Sequence, residues 1–200
     1  LKDELGIDTL SPLHRIDRET AGLVVFSVNP QERNAYQALF RNRKVHKTYQ
    51  AIAPYRDDLV FPFTRKSRIE QDAQFFLSGE VEGLPNSETR IEILKFLDSA
   101  IDSTMGSPVR SPKGSFSPKA LYQLTPITGN RHQLRIHMCA LGIPIEGDQF
   151  YPKVLRGPDE IEDFSQPLQL LAQKIAFTDP ISGEEREFAS EQKLVWVSWN

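Results

Sequence analysis

Cysteine is almost absent from the 200 residues. Cys139 stands alone, so no internal disulfide can form and an oxidising compartment is not indicated. Histidine is nearly as scarce, with four scattered residues and none of the short Cys/His spacings of a structural zinc site, so a metal-free protein is expected. His132 and His137 lie five apart, a spacing that does not put two ligands on one helix face. Long apolar runs are also missing. Stretches such as Gly22 to Phe26 fall far short of the roughly 20 residues that cross a bilayer, and the first residues lack a signal-peptide pattern. These absences point to a cytoplasmic protein. The chain starts at Leu1 rather than Met, in what reads as the middle of a loop, so an N-terminally truncated chain is expected.

What is present suits a globular fold. With 39% hydrophobic and 26% charged side chains the chain can bury a genuine core, and residues 1–200 are read as one domain. Charge is unevenly placed. Residues 14–68 carry eleven Lys/Arg against five acidic residues, and residues 105–137 carry five against none, although the formal net charge is -3. Two basic blocks folded onto one face would form a footprint for phosphates on an otherwise acidic body. Solvated, ion-paired faces explain the same numbers.

The periodicities predict more strands than helices. Ala21 to Ser27, His46 to Ala53, Ala73 to Ser78, Thr89 to Leu97, Lys119 to Thr125, Leu170 to Thr178 and Glu185 to Ala189 read as strands, the last two joined by a turn at Asp179-Pro180-Ile181-Ser182-Gly183. A helix is expected from Asn29-Pro30-Gln31-Glu32, read as N-cap, N1 proline and acidic N3. Its apolar face is Ala35, Tyr36, Leu39 and Phe40, and Arg41, Arg43 and Lys44 load its C-terminal end. A second helix is expected over Arg131 to Leu141, closed by Gly142, with Leu134, Met138 and Leu141 buried. Ser99 to Ser117, rich in Ser, Pro and Gly, reads as a mobile loop. The fold class expected is α+β: a mixed, largely antiparallel β-sheet with flanking helices.

Two segments crowd charged groups around apolar ones: His14-Arg15-Ile16-Asp17-Arg18-Glu19-Thr20-Ala21-Gly22, and Gly129-Asn130-Arg131-His132-Gln133-Leu134-Arg135-Ile136-His137. Arginines on both sides of Asp17 favour its ionised form and keep a carboxylate ready at neutral pH. A structural ion-pair cluster accounts for the same residues.

Taken in order, with Lys47-Thr48-Tyr49 between them, these segments resemble the motifs of the RluA family of pseudouridine synthases. His14 to Gly22 is similar to the family's H-R-L-D-x-x-T-S-G, Lys47 to Tyr49 to its K-x-Y, and Gly129 to His137 to its G-R-T-H-Q-L-R-V-H. Ala140 to Asp148 is similar to A-x-G-x-P-I-x-G-D. Leu170-Leu171-Ala172 and Phe177-Thr178-Asp179-Pro180 match two C-terminal elements, so the resemblance runs over roughly residues 10–193. Ala21 stands where the family has serine, and Asn130-Arg131 where it has Arg-Thr. The family's opening strand with its K-P-x-G loop has no counterpart ahead of Leu1.

The resemblance implies an RNA-modifying isomerase that needs no cofactor and acts, as a monomer, on structured ribosomal or transfer RNA. It makes Asp17 the reacting carboxylate, paired with and oriented by Arg135, and makes Tyr49 a ring that stacks on the target uracil and assists proton removal at C5. Arg15 becomes the wedge that fills the stack when the base is extruded. His14, Lys47, Arg131 and His132 become RNA or substrate contacts, and Ile136 an apolar wall against the base. A catalytically silent RNA-binding module of the same fold is the alternative. A carbohydrate hydrolase would need a second carboxylic acid, for which Glu19 is the nearby candidate.

Overall fold

The computed structural model describes residues 1–72, 77–97, 118–155, 157, 160 and 165–194. In chain order the elements are α1 (Lys2–Leu5), β1 (Ser11–Pro12), β2 (Ala21–Gly22), β3 (Phe26–Ser27), α2 (Arg33–Arg41), β4 (His46–Pro54), β5 (Phe63–Gln71) and β6 (Ser78–Val81). They continue as β7 (Ser87–Phe96), β8 (Lys119–Pro126), α3 (Gln133–Ala140), β9 (Leu170–Thr178) and β10 (Glu185–Ala189). The large sheet runs β10-β9-β4-β8-β7-β5-β6, with antiparallel neighbours throughout, and β2 adds a short parallel pairing to β9. β1 and β3 form a separate antiparallel pair. The mixed, largely antiparallel α+β class is the one the sequence pattern predicts.

β4 and β8 lie near the middle of the sheet because their residues tolerate burial: Ala51, Ile52, Ala53, Ala120, Tyr122 and Leu124 are all buried. Tyr49, Ala51 and Ala53 join Leu134 and Met138 of α3 in the main core, so one face of β4 meets this helix, as the alternation predicts. A smaller core gathers Val45, Ile175 and Phe177 with Tyr36, Leu39 and Phe40 of α2 and with Leu23 and Val25. Each large apolar side chain so buried contributes roughly 1.5–3 kcal/mol.

Several expectations need correction. Ala21 to Ser27 is not one strand: β2 follows β9, the chain then leaves it, and β3 pairs with β1 instead. α2 starts at Arg33, not beside Asn29, because Asn29 spends its side chain on a turn, accepting from the Gln31 N–H at 3.1 Å and donating to Glu32 Oε1 at 2.8 Å. α3 begins at Gln133, since His132 before it has φ 55° and ψ 15°, outside the right-handed helical region. The strand expected over Ala73 to Ser78 falls mostly on residues 73–76, and the loop expected over Ser99 to Ser117 falls on residues 98–117, both outside the described residues. Among the described residues no helix is long and apolar enough to cross a membrane.

Candidate active site

Three segments meet at one cleft. The loop between β1 and β2 supplies Arg15, Ile16, Asp17 and Thr20, and β4 supplies Lys47 and Tyr49. The turn from β8 into α3 supplies Thr128, Gly129, Asn130, His132 and Leu134, with Leu170 of β9 beneath. The loop is anchored at both ends. His14 accepts the Val25 N–H on Nε2 (3.1 Å), donates from Nδ1 to the Arg15 carbonyl (3.1 Å) and stacks on Phe40 of α2 at 4.8 Å. At the other end Gly22 has φ 105°, and a Cβ there would stand 2.4 Å from the Ala172 carbonyl oxygen, so only glycine lets the loop run against β9.

Behind the cleft, Gln133 ties the turn to the sheet. Its Oε1 accepts from Thr128 Oγ1 (2.7 Å) and the Asn130 N–H (3.1 Å), and its Nε2 donates to the Glu88 carbonyl (3.0 Å) and Thr89 Oγ1 (2.9 Å). One turn on, His137 is wholly buried among Thr89, Ser67 and Ser87, each within hydrogen-bond distance. Six consecutive residues, Gln133 to Met138, are buried, so α3 is a core helix enclosed on all sides rather than one with a single buried stripe.

Arg135 does not pair directly with Asp17. Its guanidinium grips Asp148 through Nε (2.8 Å) and Nη2 (2.7 Å) and reaches Glu19 through Nη1 (3.3 Å). It also lies 5.0 Å from the Phe150 ring centre and 5.5 Å from that of Tyr151. A fully buried guanidinium needs a carboxylate of matching planar geometry, and Asp148 supplies it while also accepting the N–H groups of Phe150 and Tyr151 at 2.8 and 3.0 Å. Arg135 therefore acts on Asp17 through space.

Asp17 carries no hydrogen bond to its carboxylate among the described residues, and His132 Nε2 lies 4.0 Å from its Oδ1. The flanking arginines do not make it an easy anion. Burial raises its pKa above the ordinary carboxylate value, and the charges of Arg135, Arg15 and Arg131 only partly offset that. Burial likewise pushes Tyr49 up to about 12, helped by the nearby Asp17 charge. That shift keeps the Tyr49 phenol protonated at neutral pH. Burial lowers the Lys47 pKa.

Of the residues the sequence singles out, Asp17, Tyr49, Arg15, Lys47 and His132 line the cleft. His14 and Ile136 do not. His14 spends both ring nitrogens on the loop, and Ile136 is buried within the enclosed helix, two residues and about 200° round from Leu134, which does face the cleft. Arg131 is not among the lining residues and reaches Asp17 through its charge. Sequence reasoning missed Glu19 and Asp148 as the partners of Arg135, and Tyr151. The Gly147-Asp148 pair was visible as a motif, and a buried arginine in the preceding helix was the reason to look there for its carboxylate.

A carboxylate and an aromatic ring in a cleft that Arg15 and Lys47 also line suit chemistry on one nucleotide of a polyanion, the class of nucleic-acid-modifying enzymes. The comparisons with known proteins carry this further. Residues 1–140 match the RNA pseudouridylate synthase family, and the chain belongs to it: it is an RNA pseudouridine synthase of the RluA type, an isomerase. Among its relatives are the dual-specificity RNA pseudouridine synthase RluA of Haemophilus influenzae, 31% identical over 94% of this chain and 75% of that protein. Another is the tRNA pseudouridine synthase C of Vibrio vulnificus, 29% identical over 98% and 77%. The human RNA pseudouridylate synthase domain containing 1 shares the fold, with a TM-score of 0.68 at 22% identity over 92% of this chain and 69% of that one.

Proposed function

We propose that this enzyme isomerises specific uridines of ribosomal or transfer RNA, with Asp17 as the reacting carboxylate on an extruded nucleotide. The names of its relatives, one tRNA-directed and one of dual specificity, support that substrate class. The reaction breaks the N1–C1′ bond, turns the uracil and rejoins it through C5, where a proton is lost as N1 gains one. Composition and oxidation state are unchanged. A carboxylate serves either by attacking C1′ or by taking the C2′ proton, and the position of Asp17 in the cleft lining supports either role. Tyr49 stacks on the uracil, Leu134 and Ile16 supply the apolar wall, Lys47 and Arg131 steady phosphates, and the exposed Arg15 fills the vacated stack. The enzyme is read as a monomer acting in the cytoplasm.

One observation carries this reading. Glu19 and Asp148 are both held by Arg135, which leaves Asp17 as the carboxylate of the cleft with no hydrogen-bond donor on it among the described residues. The same contact argues against a hydrolase that would use Glu19 as its acid. A silent RNA-binding module has no use for a half-buried carboxylate beside phosphates, whose charge lowers affinity. The test is tritium release from bulk RNA carrying 5-tritiated uridine. The wild type should release it and Asp17→Asn should not, while RNA affinity changes little. Substantial release by that variant rules Asp17 out.

A further inference from the structure

Beyond Asp17, the cleft contains a second polar atom whose hydrogen-bonding character the fold itself fixes. His132 is 6% exposed, sits at φ 55° in a backbone conformation uncommon for a residue with a side chain, and is held between Phe150 and Tyr151. Its Nδ1 lies 2.9 Å from Tyr151 Oη. That hydroxyl is already committed. Among the described residues β6 is the last strand of the sheet, and Tyr151 meets its outer edge at Ser78, accepting the Ser78 N–H at 3.2 Å and donating its only proton to the Ser78 carbonyl at 2.8 Å. What remains on Oη is a lone pair, so Nδ1 must be the donor in the His132–Tyr151 bond. A neutral imidazole protonated on Nδ1 presents a bare lone pair on Nε2, the atom that faces Asp17 Oδ1 at 4.0 Å. Neutrality follows from the setting: burial, with Arg135, Arg131 and Arg15 nearby, pushes His132 down to about 3.

Two acceptors facing each other across 4.0 Å leave a place for a donor. We infer that His132 Nε2 accepts a hydrogen bond from the 2′-hydroxyl of the target nucleotide, with Tyr151 as the positioning residue that locks the imidazole in the tautomer able to do so. The assignment rests on the proposed role of Asp17. A carboxylate that works at C1′ or C2′ brings the 2′-position within reach of an atom 4 Å away. On that side of the nucleotide the 2′-hydroxyl is the hydrogen-bond donor, because N1 of uridine carries no proton and O2 only accepts. The contact would make His132 the group in the cleft that distinguishes ribose from deoxyribose.

The test couples the protein atom to the substrate atom. An RNA transcript that the wild type modifies is resynthesised with 2′-fluorouridine at the target position, which keeps an acceptor there and removes the donor. Single-turnover rate and half-saturation are then measured for both RNAs with wild type and His132→Leu. Loss of the hydroxyl should cost the wild type about tenfold to a hundredfold and the variant less than about threefold, since the variant has already lost the contact. Fluorine's intrinsic effect on the chemistry is common to both enzymes and cancels in the ratio. If a combination turns over too slowly, the same ratio is read from competition binding. His132→Gln, which can present an amide oxygen near the same place, should recover part of the wild-type discrimination.

Nitrogen-15 NMR of the free protein reads the tautomer directly. Nε2 of His132 should be pyridine-like in the wild type, with Tyr151→Phe giving a mixture of tautomers while the fold stays intact by thermal melt. Equal 2′-fluoro costs in wild type and His132→Leu, or a protonated Nε2 in the wild type, overturn the inference. These results are separable from a failure of Asp17, which would show as an active Asp17→Asn.

Discussion

The two sides of α3 hold polar networks of opposite character. Toward the sheet, Gln133 and His137 are satisfied by Thr89, Thr128, Ser67, Ser87 and a backbone carbonyl, without a formal charge. Toward the loop, Arg135 binds Asp148 and Glu19, and His132 turns a lone pair to Asp17. The neutral network closes on itself and fixes where the helix starts. The charged one leaves Asp17 without a donor, and that vacancy in the bonding is where chemistry becomes available.

The largest expected effect is Asp17→Asn. Tritium release should fall at least about a thousandfold, since the reacting group itself is removed. Stability should not fall. Asp17 has a folded pKa above its unfolded value, so its ionised form weakens the fold above the unfolded pKa, and the neutral amide relieves that cost. The same shift sets the acid limb of the pH profile. Single-turnover rate should drop as pH falls through a value above the ordinary carboxylate range. His132, at about 3, and Tyr49, at about 12, should contribute no break between pH 5 and 9. An acid limb at an ordinary carboxylate pKa would mean that the arginines outweigh burial.

Next in size is the separation of Arg135 from Asp148. Either Arg135→Ala or Asp148→Asn leaves the other ion buried with its best partner gone, a loss of about 3–5 kcal/mol by chemical denaturation, and activity should fall with it. The interpretation changes if Asp148→Asn melts like the wild type. A matching change on the neutral side sharpens the contrast. Thr89→Val keeps the shape but strips the oxygen that serves Gln133 and His137, costing about 1–3 kcal/mol. Its single-turnover rate at saturating enzyme should stay within about threefold of wild type. A large rate loss there would show that the two networks are coupled through the helix.

Much of this was legible in the sequence, and what was not has identifiable causes. β9 and β10 match the sequence pattern to the residue, and β4 and β8 to within one: β8 alternates strictly between buried and half-buried residues, and the turn at residues 179–183 marks where β9 ends and the exposed β10 begins. β5 was missed. Phe63–Gln71 contains only two large apolar residues, and its face is held by cross-strand ion pairs, Arg65 with Glu80 and Lys66 with Glu88, which leave no hydrophobic period to read. At the site, the motifs marked Asp17, Tyr49 and Arg135 but put Arg135 on the wrong carboxylate. Its true partner is 13 residues along the chain, and only the path of residues 141–148 round the end of α3 brings it back. His14 and Ile136 sit in the same motifs as the reacting groups and hold them from behind, a distinction that spacing alone does not draw.

The smallest expected effect concerns the two halves of the first basic block, which the structure treats differently. On β5, Arg65, Lys66 and Arg68 pair with Glu80, Glu88 and Glu70, so they offer little net charge to a phosphate. At the end of α2, Arg41, Arg43 and Lys44 are exposed with no carboxylate partner among the described residues, Arg41 donating only to Asn34. They adjoin the catalytic loop, because Phe40 stacks on His14. RNA affinity should therefore weaken with salt, each phosphate neutralised contributing roughly 0.7–0.9 to the log-log slope. Replacing Arg41, Arg43 and Lys44 together by glutamine should flatten that slope by about 2 to 3, without changing the single-turnover rate on saturated RNA. The same replacement of Arg65, Lys66 and Arg68 should change the slope by less than about 1, since its cations are already matched by carboxylates. Equal changes in the two triple variants would show that the ion pairs of β5 open to the RNA, and that the difference between the two halves disappears on binding.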